Sequence, residues 1–336
     1  MIFTLCNELD RTRFEPTLVL FSQEGMPLEL LKPDVRVVDL KIKRIRYAVF
    51  SVLKLIRNEK PDIVFGGWGE VSALLAPIIP FFRKTKFVAR ETNVVSKHVQ
   101  RKEIRFFYRF YNNFDKIIAQ SDDMQKDLIE NLEIQPDKIV KINNPVDVEF
   151  IQNQMVSDSK LFSDEFKNVV AIGNLSERKG FDLLLNVFAE LKDKPIQLHI
   201  LGDGRDREKL AKQKEELGLE NVAFLGNQEN PYPYLHQADL FVLSSRYEGF
   251  PNVLLEAGAC GTYSLVNNCL GGIEEIIQSK INGEIYPIED TEGFAEKIAF
   301  LSDKNYDKEF IRESIESRFS KEIIVQKYNQ VLSEWI

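Results

Sequence analysis

The stretch "DLFVLSSRYEGFPNVLLEAGACG" (239–261) decides the fold. "DLFVLSS" is continuously apolar and β-branched, as a parallel strand covered on both faces must be. "RYEGF" is a turn at its carboxyl end. Pro251 then fits the first position of a helix, where its missing N–H costs nothing. Ligands of open α/β sheets bind at the carboxyl ends of strands, and the free N–H groups of the helix would face an anion. Glu248 sits in the turn. Glu256, four residues after Asn252, shares its helix face. Paired carboxylates beside an anion-binding helix start suit a ligand with both hydroxyls and phosphate. Two solvated surface glutamates would give the same spacing.

The same strand–turn–helix grammar recurs along the chain. "PTLVLF" (16–21), "DIVFGG" (62–67), "KFVAR" (86–90) and "KIIAQS" (116–121) read as strands of a first half. "NVVAIGN" (168–174), "IQLHILGDG" (196–204), "NVAFLG" (221–226) and "TYSLVNN" (262–268) join 239–245 in a second. Alternating strands and helices predict parallel sheets with helices on both faces. A chain of 336 residues is too long for one ordinary core. We expect an α/β protein of two doubly wound Rossmann-like domains facing a cleft. Their bounds are 1–150 and 168–315, with a polar linker over 151–167 and a closing helix over 316–336.

Charge is divided unevenly. Residues 1–150 carry 24 Lys+Arg and 21 Asp+Glu, so the remainder carries 20 and 31 of the totals 44 and 52. An acidic protein with a basic first half is not a general nucleic-acid binder. Three cysteines without C-x-x-C spacing and three unpaired histidines give no zinc site and fit a reducing, cytoplasmic compartment. The longest apolar run, "VSALLAPIIPFF" (71–82), is too short to span a bilayer, and no secretory leader is visible.

"NVVAIGNLSERKGFDLLLNVF" (168–188) supplies the cations. Arg178 and Lys179 precede Gly180 and an amphipathic helix, where charge, N–H groups and helix dipole converge on a diphosphate. Helices that merely begin with surface lysines look alike. The "GDG" turn at 202–204 lacks the third glycine of a dinucleotide fingerprint and is rejected as one.

In this order, "GNLSERKGFDLL", "ILGDGRDREKL", "FLGNQENPYPYL", "ADLFVLSSRYEGFPNVLLEAGACG" and "GGIEEIIQSKINGEIYP" resemble the family 4 glycosyltransferases of the B-type two-Rossmann fold. "PDIVFGGW", "IIAQSDDMQKDL" and "KIVKINNPVD" extend the resemblance into the first half, and "SKEIIVQKYNQVLSEWI" resembles the family's closing helix. The resemblance implies a retaining transferase of a hexose or N-acetylhexosamine, with a nucleotide diphosphate sugar as donor, UDP before GDP. The acceptor would be a glycan or lipid-linked molecule of bacterial cell-surface polysaccharide assembly. Glu248 would contact donor hydroxyls beside backbone amides of Gly249, Phe250 and Pro251, next to Asn252, and Glu256 the ribose. Lys179, helped by Arg178 near Gly173 and Asn174, would neutralise the diphosphate. Leu225, Gly226 and Asn227 would seat the base, and Gly271 and Gly272 bring backbone close. Arg90, Glu91 and His98 are the acceptor-side candidates.

No D-x-D triplet occurs, so no metal and no other cofactor is expected. The family's arginine after the first glycine is Asn174 here, with Arg178 as the compensating cation, and its proline after "ACGT" is Tyr263. The family also opens with a strand and glycine-rich loop, about 20 residues that the resemblance places before "MIFTLCNEL". Their absence would leave an impaired or non-catalytic partner protein as one alternative. A sugar-nucleotide 2-epimerase of the same fold is another. Basic residues in "KIKRIR" (41–46), "RKTK" (83–86) and "SKHVQRKEIRFFYRFYNNF" (96–114), interleaved with aromatics in the last, fit the anionic inner face of the cytoplasmic membrane. Aromatics in the core with bases in water would give the same string.

Overall fold

A computed structural model describes residues 1–42, 48–157 and 159–335. The chain divides into two compact units, Met1–Pro145 with Lys321–Ile336, and Val146–Ser320. The strands are β1 (Thr17–Leu20), β2 (Arg36–Asp39), β3 (Ile63–Gly66), β4 (Lys86–Arg90), β5 (Lys116–Ala119) and β6 (Ile139–Lys141) in the first unit. In the second they are β7 (Lys167–Ile172), β8 (Ile196–Leu201), β9 (Val222–Gly226), β10 (Leu240–Leu243), β11 (Ser264–Asn267) and β12 (Gly283–Tyr286). Among the described residues every strand pairing is parallel. β2, β6 and β12 escape a sequence reading because each is only three or four residues long and partly exposed.

The second unit holds one six-stranded sheet in the order β12-β11-β10-β7-β8-β9. The order reverses between β7 and β10, which pair through Leu240↔Val169 and Phe241↔Val170. That reversal is the topological switch point of a doubly wound sheet, where the helices of the two halves leave on opposite faces and a crevice opens at the strand ends. One core cluster centres on Leu184, Phe188, Leu198 and Phe294, and another on Val170, Phe241, Leu255 and Phe319.

The segment 151–167 is not a polar linker. Its first residues continue the helix Val148–Met155, which buries Val148, Ile151 and Met155. These side chains recur at helical spacing and pack with Phe162, Val170 and Leu235. Asp147 caps the helix by accepting from the Phe150 amide. Intervening Gln and Asn residues on the solvent face hide that stripe from a composition reading.

In the first unit, β3-β4-β5-β6 form one sheet and β1-β2 another, with no strand pairing between them among the described residues. The helix Ile2–Glu8 packs on both. Its Leu5 joins Val88, Ile118 and Phe65, and its Cys6 joins Leu18 and Val35. The helix Lys321–Leu332 returns to this unit and buries Ile324, Tyr328, Val331 and Leu332 against Val88, Ile118 and Ile142. Among the described residues no helix is long and apolar enough to cross a membrane.

Candidate active site at the switch point of the second unit

The turns after β7 and β10 meet at the strand-order reversal. After β7 the chain makes a 3-10 turn, Glu177–Lys179, and Gly180 takes a left-handed conformation to start the helix Phe181–Ala189. Ser244 Oγ donates to the Lys179 carbonyl at 2.8 Å, and the Arg246 amide donates to the Arg178 carbonyl at 2.8 Å. Arg246 also grips Asp182 with both terminal nitrogens at 2.8 and 2.7 Å, and donates to the Glu177 carbonyl at 2.6 Å. The cation-bearing turn is therefore stitched to the carboxylate-bearing turn. Arg246 was missed in the sequence, where it reads as one more surface arginine.

Glu248 is 4% exposed. Its Oε1 accepts from Lys179 Nζ at 2.6 Å and from Ser245 Oγ at 2.6 Å, and its Oε2 accepts from Arg178 at 2.5 Å. Burial pushes its carboxyl up, but the charges of Lys179 and Arg178 outweigh it and hold the group below its ordinary value. The Lys179 stem lies across Gly173, whose added Cβ would stand 3.2 Å from Lys179 Cε. Arg178 also approaches the Tyr247 ring, 5.9 Å from its centroid.

Pro251 stands at the N-cap of the helix Asn252–Ala259, one residue before the position that its sequence implied. Phe250 is buried and packs edge-on against Phe319 at 5.6 Å, so its ring belongs to the core. Asn252 is exposed and Glu256 half-buried. Burial raises the Glu256 carboxyl's pKa while the Lys179 charge pulls it down. One lysine thus acts on both glutamates of the pair.

Beside this cluster a hollow of about 460 Å³ is lined by Gly173, Asn174, Gly202, Asp203, Asn227 and Gln228, among others. Glycine is required around it. A Cβ on Gly202 would fall 2.1 Å from the Gly173 carbonyl oxygen, and one on Gly271 2.5 Å from that of Glu248. Gly226 and Gly272 also have positive φ, and Gly272 starts the short helix Ile273–Ile276. Gln228 donates to the Leu225 carbonyl and accepts from Tyr234, which fixes the turn over 225–228. At Gly202 and Gly271 a side chain would collide with the protein's own backbone, which sets glycine at both turns. Among the described residues no group of three His, Cys, Asp or Glu side chains is placed to hold a metal ion.

The acceptor-side candidates are differently placed. Arg90 and Glu91 do not line a surface; they are 5% and 3% exposed inside the first unit. Glu91 accepts from Tyr111 and, at 3.4 Å, from Tyr108, and Arg90 donates to Asn144 at 2.6 Å. The carboxyl end of β4 is covered there by the tyrosines and by Tyr328, which lies beside Arg90. His98 is exposed at the end of the short helix Val95–His98. The aromatic–basic segment divides by residue. Tyr108 and Tyr111 fill the core, while Phe106 and Phe110 are exposed among exposed Arg101, Lys102, Arg105 and Arg109. "KIKRIR" lies, from residue 43 onward, outside the described residues.

Comparison with known proteins gives this geometry a family. Residues 153–317 match the model "Glycosyl transferases group 1", and residues 1–150 match "Glycosyltransferase Family 4". An N-acetylgalactosaminyltransferase acting on N-acetylgalactosamine-N,N'-diacetylbacillosaminyl-diphospho-undecaprenol in Campylobacter jejuni is 30% identical over 258 residues. The match covers 74% of this chain and 69% of that protein. An Escherichia coli O-antigen biosynthesis glycosyltransferase, WbnH, is 34% identical over 64% of this chain and 58% of its own. The crystal structure of Anabaena HepE in complex with UDP and glucose superposes with a TM-score of 0.80 at 21% identity. It covers 95% of this chain and 91% of that one, a likeness of fold. The chain is an α/β glycosyltransferase of the B-type two-Rossmann fold and belongs to glycosyltransferase family 4.

Proposed function

We propose that this chain is a retaining glycosyltransferase that moves a hexose or N-acetylhexosamine from a UDP-sugar to a glycan or lipid-linked acceptor in cell-surface polysaccharide assembly. The observation that carries the reading is the meeting of Lys179, Arg178 and Glu248 at the switch point, beside a glycine-rimmed hollow. Breaking a sugar–phosphate bond builds negative charge on the departing diphosphate. Cations and amide dipoles fixed beforehand stabilise that charge more in the transition state than in the ground state. Lys179 and Arg178 bear on the diphosphate, Glu248 on the sugar hydroxyls and Glu256 on the ribose. Gly271 and Gly272 admit the donor. The base sits by Leu225, Gly226 and Asn227, with Gly173 and Asn174 at the phosphates. The reading needs no metal: Lys179 and Arg178 supply the positive charge, and the chain has no D-x-D triplet.

The named relatives support the acceptor class, one acting on a diphospho-undecaprenol glycan and one named for O-antigen biosynthesis. The UDP of the HepE complex supports the nucleotide. A lipid-linked acceptor puts the enzyme at the inner face of the cytoplasmic membrane, with residues 101–110 as the surface that meets it. His98, at the margin of that segment, remains the exposed acceptor-side candidate.

A thermal-shift screen of UDP- and GDP-sugars tests the donor, since a ligand that binds only the folded state raises its stability. NMR of the product's anomeric carbon then reads the stereochemistry. Lys179→Ala and Glu248→Ala are expected to abolish transfer, and transfer is expected to persist in EDTA. Near-normal turnover by either variant removes the site assignment.

A further inference from the structure

We propose that the ion cluster of Glu248 with Lys179 and Arg178 is a donor-exchanged lock, which makes the site discriminate against a bare nucleoside diphosphate. The inference rests on the donor-site reading given above.

The Glu248 carboxylate is already paired within the protein, by two cations against its one negative charge. Both Glu248 oxygens are occupied by cations, at 2.6 and 2.5 Å, and the carboxylate is buried. Lys179 and Arg178 are the cations nearest that carboxylate, and a diphosphate arriving at the switch point competes with Glu248 for them. If they turn to the ligand, Ser245 Oγ still donates to Glu248 Oε1. A buried carboxylate stripped of its ion partners is strongly unfavourable. A bare nucleoside diphosphate brings nothing to replace them. A sugar on that diphosphate does, because its hydroxyls donate to the oxygens the cations leave. The Glu248 side chain therefore opposes diphosphate alone and accepts diphosphate bearing a sugar.

The geometry also fixes how the cost is applied. Gly271 packs against the Glu248 backbone, and the Glu248 amide donates to the Leu270 carbonyl at 2.8 Å. The Lys179 and Arg178 backbones are held by Ser244 and Arg246. With both main chains fixed, the carboxylate cannot withdraw with its cations, and partner exchange has to occur at the side-chain tips. One consequence for turnover is that the diphosphate product, once its sugar has gone, faces the re-forming Glu248 pairs. The lock favours its departure.

The test is calorimetric titration of UDP, UDP-glucose, UDP-N-acetylglucosamine and inorganic pyrophosphate into the wild-type chain and Glu248→Gln. Gln keeps the shape and removes the charge. UDP and pyrophosphate are expected to bind Glu248→Gln at least tenfold more tightly than wild type. The preference for the better UDP-sugar over UDP should shrink by a similar factor. Unchanged or weaker UDP and pyrophosphate binding by a folded Glu248→Gln overturns the lock. If Glu248→Gln does not fold, Glu248→Asp sets the carboxylate back by one methylene. It is expected to bind pyrophosphate more tightly than wild type by a smaller margin, and equal or weaker binding overturns the proposal. If wild type binds none of these probes but binds another sugar nucleotide, the UDP reading fails, and the same comparison is run with that nucleotide's diphosphate.

Discussion

A Cβ placed on Gly180 would stand 2.1 Å from the carbonyl oxygen of Ser244, across the strand-order reversal. The turns after β7 and β10 approach so closely there that only a hydrogen fits between them. Gly180 also has φ +64°, which an L side chain occupies at a cost of about 1–2 kcal/mol. Gly180→Ala is expected to destabilise the second unit by at least about 2 kcal/mol. It should also abolish the thermal shift given by a sugar nucleotide. Urea unfolding and the shift assay measure the two effects separately. A fully stable, ligand-responsive Gly180→Ala would mean that the turns are not in this contact.

Arg246 ties the turn bearing Arg178 and Lys179 to Asp182 and to the Glu177 carbonyl. Its fork on Asp182 is partly exposed, so its direct worth to stability is small, about 1 kcal/mol. Arg246→Ala is expected to weaken pyrophosphate binding about tenfold, or about 1.4 kcal/mol, because the turn bearing Arg178 and Lys179 loses its stitches. Arg246→Lys keeps the charge but cannot reproduce the two-nitrogen grip on Asp182. Calorimetry is expected to place it nearer Ala than Arg. A lysine variant that binds as wild type does would reduce Arg246 to a long-range charge.

Glu91 gives the first unit a pH signature. Burial raises its carboxyl from 4.5 to about 7, against the hydrogen bonds of Tyr111 and Tyr108 that favour the ionised form. The folded chain holds this proton up to about pH 7, whereas the unfolded chain releases it near 4.5. Stability from this group is fully present below pH 4.5 and is lost as pH rises to 7, by up to about 3 kcal/mol. Glu91→Gln is expected to remove that slope. Denaturant melts at pH 5 and pH 8 check it, and parallel losses in wild type and variant would contradict it.

Membrane contact is expected to lie in the segment where Phe106 and Phe110 emerge among bases, with Arg109 stacked over Phe106 at 5.7 Å. Each basic residue near an anionic surface contributes about 1 kcal/mol, so replacing Arg101, Lys102 and Arg105 by Ala is expected to lower partitioning about a hundredfold. Sedimentation with vesicles rich in phosphatidylglycerol measures it, with neutral vesicles as the control. Equal sedimentation of variant and wild type would assign these residues to solubility alone.

The sequence carried most of the second unit because its signals are local. Glycine directly follows β7 and β8 and closes β9, and each of these strands is an apolar run that one helix follows in sequence. The meeting of Lys179 with Glu248 was legible only through the resemblance; 69 positions separate them, and no periodicity joins residues of different βα units. Arg246 was invisible because a clamp looks like any surface cation until its acceptors are placed. Arg90 and Glu91 misled for the opposite reason. Charge at a strand end reads as a rim, and the tyrosines that bury it come from 17 and 20 residues further on. β2 and β6 were too short for alternation or a continuous apolar run to register.

The helix Lys321–Leu332 completes a core whose other members were made more than 170 positions earlier, the last of them Ile142. During synthesis the middle of the chain forms a contiguous unit that can close while the ribosome is still at work. The first part must wait with Val88, Ile118 and Ile142 uncovered. Chaperone demand in the cell should therefore track the delay between translating Ile142 and releasing the helix Lys321–Leu332, and slowing the ribosome between those two points should harm yield more than slowing it before Val88.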